Sequence, residues 1–160
     1  MNDKIELATF GAGCFWGVEA RFREVKGVLD ATSGYMGGQQ SDPGYKAVCS
    51  GSSGHAEVVQ VRFDTQQVSF ETLLALFFDM HNPTTMNRQG PDIGSQYRSV
   101  VFFHTAGQEK AALQAIADIN LSGRWPQAVV TEVQEAMPFW PAEEYHQRYL
   151  EKHGRGFCSI

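Results

Sequence analysis

Strand-like and helix-like segments interleave along the 160 residues, which predicts an α/β or α+β fold, a mixed β-sheet packed on helices. Three observations carry that expectation. Val59, Val61 and Phe63 alternate with Gln60, Arg62 and Asp64, the period of a half-buried strand. Phe70, Leu73, Leu74, Phe77 and Phe78 fall at i, i+3, i+4, i+7 and i+8, one apolar face of a helix. A chain of this length, with 42% hydrophobic and 19% charged residues, can bury a core as one domain. Residues 1–160 are therefore expected to form a single domain, with a mobile tail from about 154 to 160.

Taken in order, Lys4–Phe10 reads as a strand ending at Gly11-Ala12-Gly13. A helix follows from about Phe15 to Val25, with Gly27 as its C-cap. Val28–Tyr35 is a second strand, and the Gly- and Ser-rich stretch from Gly34 to Gly54 is a long loop. Glu57–Asp64 is the alternating strand. Ser69 caps the helix that stops before Pro83, because a residue preceding proline avoids helical geometry. Thr84–Gln96 is a second loop with no clear period. Arg98–His104 is an apolar strand, and Thr105 with Gln108 forms a capping-box pattern before a helix to about Leu121. Gln127–Gln134 reads as a strand, and a last helix runs from about Ala142 to His153 with Pro141 near its start.

Several function classes are disfavoured. The longest apolar run, Leu73 to Phe78, has six residues, whereas a bilayer span needs about 20. A net charge of −5 lacks the basic footprint of nucleic-acid binders. The start, Met1 to Glu6, has no basic region followed by an apolar one, so the expected compartment is the cytoplasm. Cys14, Cys49 and Cys158 are an odd, sparse set that does not suggest structural disulfides. No Cys-x-x-Cys pair and no two histidines at i and i+4 argue for a metal site.

Cys14 is the most informative position, where a strand hands over to a helix. Unpaired N–H groups and the positive dipole end there favour a thiolate, hence a nucleophile; the alternative is a small buried core residue. The glycines at 11, 13 and 17 leave room for something to approach the backbone. They also suggest a dinucleotide fingerprint, but Trp16 occupies its third glycine position. Phe15 and Trp16 either face the core or form an aromatic wall for a methyl or thioether group. Glu57 is either an exposed edge residue or a desolvated acid that keeps its proton. Tyr45 and Tyr97 are either surface residues or O–H donors to a polar oxygen. Asp92 either anchors its loop or favours a turn after Pro91. Cys158 is either incidental or a tethered thiol able to reach a second sulfur, and Cys49 reads as buried and inert. A cysteine hydrolase stays open as a rival, with one of five scattered histidines as its base, as does a non-catalytic binding module.

Gly13-Cys14-Phe15-Trp16-Gly17 resembles the signature of the A-type peptide methionine sulfoxide reductases (the MsrA family). The likeness continues in family order through Gly34-Tyr35-Met36-Gly37-Gly38, Tyr45 to Gly51, Gly54-His55-Ala56-Glu57-Val58-Val59, Asn87-Arg88-Gln89-Gly90, Asp92 and Gln96-Tyr97-Arg98-Ser99. The resemblance implies a two-layer sandwich and reduction of methionine S-sulfoxide, free or in polypeptides. It implies Cys14 as nucleophile, Phe15 and Trp16 around the substrate methyl, Glu57 as acid, and Tyr45 and Tyr97 on the sulfoxide oxygen. Asp92 falls at a supporting carboxylate and Cys158 at the resolving thiol. By the same resemblance no cofactor is bound, thioredoxin or a small dithiol is the reductant, and the chain is a monomer. Two departures concern loop shape: Asn82 stands where the family commonly has Asp, and Pro91 where a polar residue is frequent. The chain ends at Ile160, so one resolving thiol is expected.

Overall fold

The structure is a computed structural model that describes residues 4–38, 54–143 and 146–147. In chain order its elements are β1 (Ile5–Ala12), α1 (Phe15–Arg23), β2 (Val28–Met36), β3 (Ala56–Asp64), α2 (Phe70–Asp79), β4 (Arg88–Gln89) and β5 (Asp92–Ile93). A 3-10 turn (Ser95–Tyr97), β6 (Ser99–Phe103), α3 (Ala106–Ser122), β7 (Glu132–Glu135) and β8 (Trp140–Pro141) complete them. Six strands form one sheet in the order β7-β6-β1-β3-β2-β8. Only β6 and β7 run parallel, so the sheet is mixed, as expected. β4 and β5 form a separate hairpin.

The alternation in β3 sets the two layers. Val59, Val61 and Phe63 join Ala8, Phe10 and Ala12 of β1 in the core beneath the helices. Phe10 is its centre, with ring centroids 5.0 Å from Phe22, 5.1 Å from Phe77 and 5.9 Å from Phe70. The five periodic residues of α2 are all buried, and each such side chain contributes about 1.5–3 kcal/mol. The opposite sheet face carries a smaller cluster of Met36, Ala56, Val58, Val100 and Phe102, packed against Ala136 and Phe139.

Helix starts follow the expected chemistry with one change. Ser69 Oγ accepts the Thr72 N–H at 3.0 Å, and Thr105 Oγ1 accepts that of Gln108 at 3.1 Å. The Gln108 carboxamide oxygen, however, accepts from the His104 N–H, one residue before the cap, so the box is not closed. Helix α1 ends at Arg23 rather than Val25, because Glu24 and Val25 donate to carbonyls three residues back and tighten the last turn. Gly27 is not its cap but turns the chain into β2, its carbonyl accepting from Asp64.

Four other boundaries differ. β1 continues through Gly11 and Ala12, which pair with Val100 and Ser99 of β6. Gly34 lies inside β2 rather than opening a loop; a Cβ there would sit 2.6 Å from the Trp140 carbonyl oxygen, so its small size is what lets β8 pair alongside. The strand expected over 127–134 is confined to β7, since the Val129 N–H is taken by Asn120 Oδ1 and that of Val130 by the Pro83 carbonyl. Pro141 pairs with Gly34 in the sheet instead of starting a helix. The rest of that expected helix lies largely outside the described residues, as do the tail, Tyr45, Cys49 and Cys158.

Candidate active site

β1 delivers the chain to Cys14 at one end of the sheet. Gly13 takes a φ of 97°, and Cys14 is the N-cap of α1, half-buried. The space left by the glycines is filled by the protein itself. A Cβ on Gly11 would meet Val100 Cγ1 at 2.7 Å, and one on Gly13 would meet the Gln89 Cβ at 2.9 Å. Close packing, rather than room for a ligand, is what these two glycines provide. Trp16, at the third glycine position of a dinucleotide fingerprint, is an indole held in place, which removes that reading.

The first turn of α1 contains no acidic residue of its own. β3 supplies one. Glu57 is 1% exposed, and its Oε1 accepts the Phe15 N–H at 3.2 Å. The carboxyl therefore sits on the peptide that directly follows Cys14, at the positive end of the helix. Of the two fates open to Glu57, the exposed edge residue is excluded, since the carboxyl is buried. Glu57 pairs with Tyr35 in the β2–β3 register.

Of the two readings for the aromatic pair, Phe15 faces the core at 1% exposed, and Trp16 is half-buried against the same cluster. The Phe15 ring is 5.8 Å from that of Tyr35 and 5.2 Å from that of His146. Trp16 Nε1–H donates to His146 Nδ1 at 3.0 Å. An indole N–H can only donate, so His146 Nδ1 is the acceptor, and burial lowers the pKa of His146, opposed by the charge of Glu143. The Tyr35 hydroxyl donates to Glu143 Oε1 at 2.9 Å. Tyr35, Glu143 and His146 were not singled out from the sequence. Tyr35 alone had a signal, two residues beyond Ser33 on the β2 face that packs inward.

The second loop folds over this end through β4 and β5. The Gln89 side chain donates to the Asn82 carbonyl and accepts the Asn82 N–H, both at 2.8 Å, while its stem lies on Gly13. Asp92 pairs with Gln89, is half-buried, and burial raises its pKa. Asn82 Oδ1 accepts from both the N–H and the hydroxyl of Thr84, so an oxygen acceptor is all that this position uses. Gly90, with φ of 57°, and exposed Pro91 form the hairpin tip, the sign pattern of a type II′ turn. Tyr97 is half-buried in the 3-10 turn, which packs on β3 and β4. Buried Arg98 holds that turn, donating to the carbonyls of Ser95 at 2.9 Å and Gly54 at 3.2 Å and pairing with Glu132 at 3.4 Å.

The structure thus brings Cys14, Phe15, Trp16 and Glu57 together, with Asp92 and Tyr97 on the adjoining loop. Among the described residues no three His, Cys, Asp or Glu side chains gather as a metal site, and no helix is long and apolar enough to cross a membrane. His81 and His104 are committed elsewhere, to Phe77 and Ser99 and to Thr9 respectively. A groove of about 560 Å³ between α2 and α3, lined by Leu74, Phe78, Ala115 and Ile119, involves none of the candidate residues.

Comparison with known proteins places this geometry. The sequence profile of peptide methionine sulfoxide reductase matches residues 6–160. The chain is 55% identical over 156 residues to the peptide methionine sulfoxide reductase MsrA of Geobacter metallireducens, covering 98% of this chain and 96% of that one. It is 52% identical to that of Methanothermobacter thermautotrophicus, covering 98% and 93%. Reduced Mxr1 from Saccharomyces cerevisiae superposes with a TM-score of 0.90 at 36% identity, over 97% of this chain and 89% of that one. Methionine sulfoxide reductase A of Corynebacterium diphtheriae gives 0.85 at 32%, over 98% and 78%. Mxr1 has also been solved in complex with Trx2, a likeness of 24% identity and TM-score 0.64.

Proposed function

The chain belongs to the peptide methionine sulfoxide reductase family, and from that premise we propose how its residues divide the work. The reaction reduces methionine S-sulfoxide, free or in polypeptides, to methionine. A sulfoxide oxygen leaves poorly, so the attacking sulfur must lack its proton while a neighbouring acid still has one. Cys14 and Glu57 share a single helix start. Two ionised groups at that one place would repel each other, so one carries the charge and the other the proton. The Phe15 N–H favours a charged carboxylate, while burial and a charged sulfur beside it favour the neutral one; with the half-buried thiol at the dipole end taking the charge, Glu57 holds the proton.

In the step itself, the Cys14 thiolate attacks the sulfoxide sulfur and Glu57 passes its proton to the oxygen. The methionine sulfur gains two electrons, the Cys14 sulfur loses two, and the oxygen ends as a sulfenic acid on Cys14. Phe15 and Trp16 hold the substrate methyl, and Tyr45 and Tyr97 bond the developing oxygen charge. Asp92 supports the substrate from the hairpin. Cys158 attacks the sulfenic acid, forming a disulfide and releasing water. A dithiol then reduces that disulfide. The proposed dithiol is thioredoxin, supported by the Trx2 complex of Mxr1, and a cytoplasmic, reducing setting suits it. Residues 1–160 act as one catalytic unit and as a monomer, with no bound cofactor.

The observation that carries this reading is the bond from the Phe15 N–H to the buried Glu57 carboxyl, one peptide from the thiol. Its test is single-turnover reduction of methionine sulfoxide. Cys14→Ser is expected to abolish product. Glu57→Gln keeps the shape but loses the proton and should slow the step by roughly 10²–10⁴-fold. Parent-like single-turnover rates in Glu57→Gln would refute the assignment.

A further inference from the structure

Methionine is distributed unevenly between inside and outside. Met36 and Met80 are 0% and 3% exposed and Met137 is 36% exposed, whereas Met86 is 63% exposed, the most open of the described methionines. The backbone around Met86 is fixed while its side chain is not covered. The Thr85 hydroxyl donates to the Arg88 carbonyl at 2.7 Å, and the Asn87 carbonyl accepts from Gly94 at 2.9 Å. Asn87 has a φ of 51°, which turns the chain sharply just after Met86. The same hairpin that seats Gln89 on Gly13 leaves Met86, Asn87 and Arg88 exposed to solvent. Met86 thus stands open to solvent in the turn that leads into the hairpin.

We propose that Met86 is a reversible oxidation site of this chain, oxidised by peroxide and restored by Cys14 of a second copy. The inference rests on the sulfoxide reductase reading given above. Peroxide transfers one oxygen to the Met86 sulfur and leaves as water. The second copy returns two electrons to that sulfur and takes the oxygen as its own sulfenic acid, which a dithiol reduces to thiol and water. A long apolar side chain in an exposed turn is accessible to peroxide and to a half-buried thiol at another molecule's surface, Met137 is covered about twice as well, and buried Met36 and Met80 are accessible to neither.

The experiment separates the two copies by sequence. Cys14→Ser protein is treated briefly with hydrogen peroxide, quenched, and mixed with a catalytic amount of Met86→Leu protein and dithiothreitol. Every Met86-containing peptide then comes from the oxidised copy. Peptide mapping by mass spectrometry is expected to show Met86 as the principal oxidised methionine of Met36, Met80, Met86 and Met137, with roughly half of its sulfoxide then removed. Half remains because peroxide makes both epimers and an A-type reductase acts on one. If Met86 sulfoxide persists while the same Met86→Leu protein reduces free methionine sulfoxide, the proposal is overturned and the family activity stands. If free sulfoxide is not reduced either, both fall. Oxidation of Met36, Met80 or Met137 ahead of Met86 also overturns it.

Discussion

Glu57 shows how a single residue is read from period alone and where that reading stops. Val59, Val61 and Phe63 face the core, so stepping back two places puts Glu57 on the same face. The usual preference of glutamate for solvent runs the other way, which is why the sequence leaves Glu57 between an exposed edge residue and a desolvated acid, and in the structure Ala56 and Val58 on the opposite face are buried as well. What the sequence could not supply was the partner, because the Phe15 N–H lies 42 positions away. His81 is a second residue whose state follows from its surroundings. Its Nδ1 lies 2.6 Å from the Phe77 carbonyl, which can only accept, so Nδ1 carries the hydrogen. Nε2 then accepts from Ser99 Oγ at 2.7 Å, and burial pushes the pKa down to about 4. The unfolded chain binds a proton near pH 6.5 and the folded one does not until about 4. The resulting stability is complete above 6.5 and is lost as pH falls from there toward 4, by roughly 3 kcal/mol. Urea unfolding at pH 7 and pH 4.5 should show this drop in the parent and a smaller one in His81→Gln. Equal drops would place the pH dependence elsewhere.

Elements defined by their own side chains were legible, and elements defined by a neighbour's edge were not. α2 declares itself through five apolar residues and its Ser69 cap, all within eleven positions. β8 has two residues, one a proline, and exists because β2 offers it an edge at Gly34 and Tyr35. The hairpin of β4 and β5 is equally short, and its position is set by Gln89 binding the Asn82 backbone. The segment that follows β8 shapes the site. The Ala142 N–H donates to the Ser33 carbonyl at 2.9 Å, Glu143 accepts from Tyr35, and His146 accepts from Trp16. Gly34→Ala would push a methyl into the Trp140 carbonyl, 2.6 Å away, and into the Phe139 ring. The expected cost is about 1–3 kcal/mol by overpacking. Hydrogen exchange should quicken at Trp140 and Ala142 while β1 and β3 stay protected. Unchanged exchange at Ala142 would mean that β8 does not depend on this glycine.

At the scale of the whole molecule, the sheet brings one chemical group from each of several distant segments to one end of its central strands. Cys14 comes from the end of β1, Glu57 from the start of β3, and the loop carrying Asp92 and Tyr97 is pinned across them by Gln89 and Arg98. On the roles proposed above, such an arrangement completes one reduction and then stops, because the oxygen would rest on Cys14. Turnover needs a second sulfur, and the chain has two besides Cys14, at positions 49 and 158. If Cys158 is the resolver, Cys158→Ser should yield one equivalent of methionine per chain at the parent's rate and then stall with thioredoxin as reductant. Cys49→Ser should recycle normally. Mass spectrometry after one equivalent of methyl sulfoxide substrate should show the parent two hydrogens lighter, with the link mapping to Cys14 and Cys158. The Cys158→Ser chain should instead hold a sulfenic acid that dimedone traps. A link from Cys14 to Cys49, or steady thioredoxin-driven turnover in Cys158→Ser, would move the resolving role to Cys49 while leaving the reduction step at Cys14 intact.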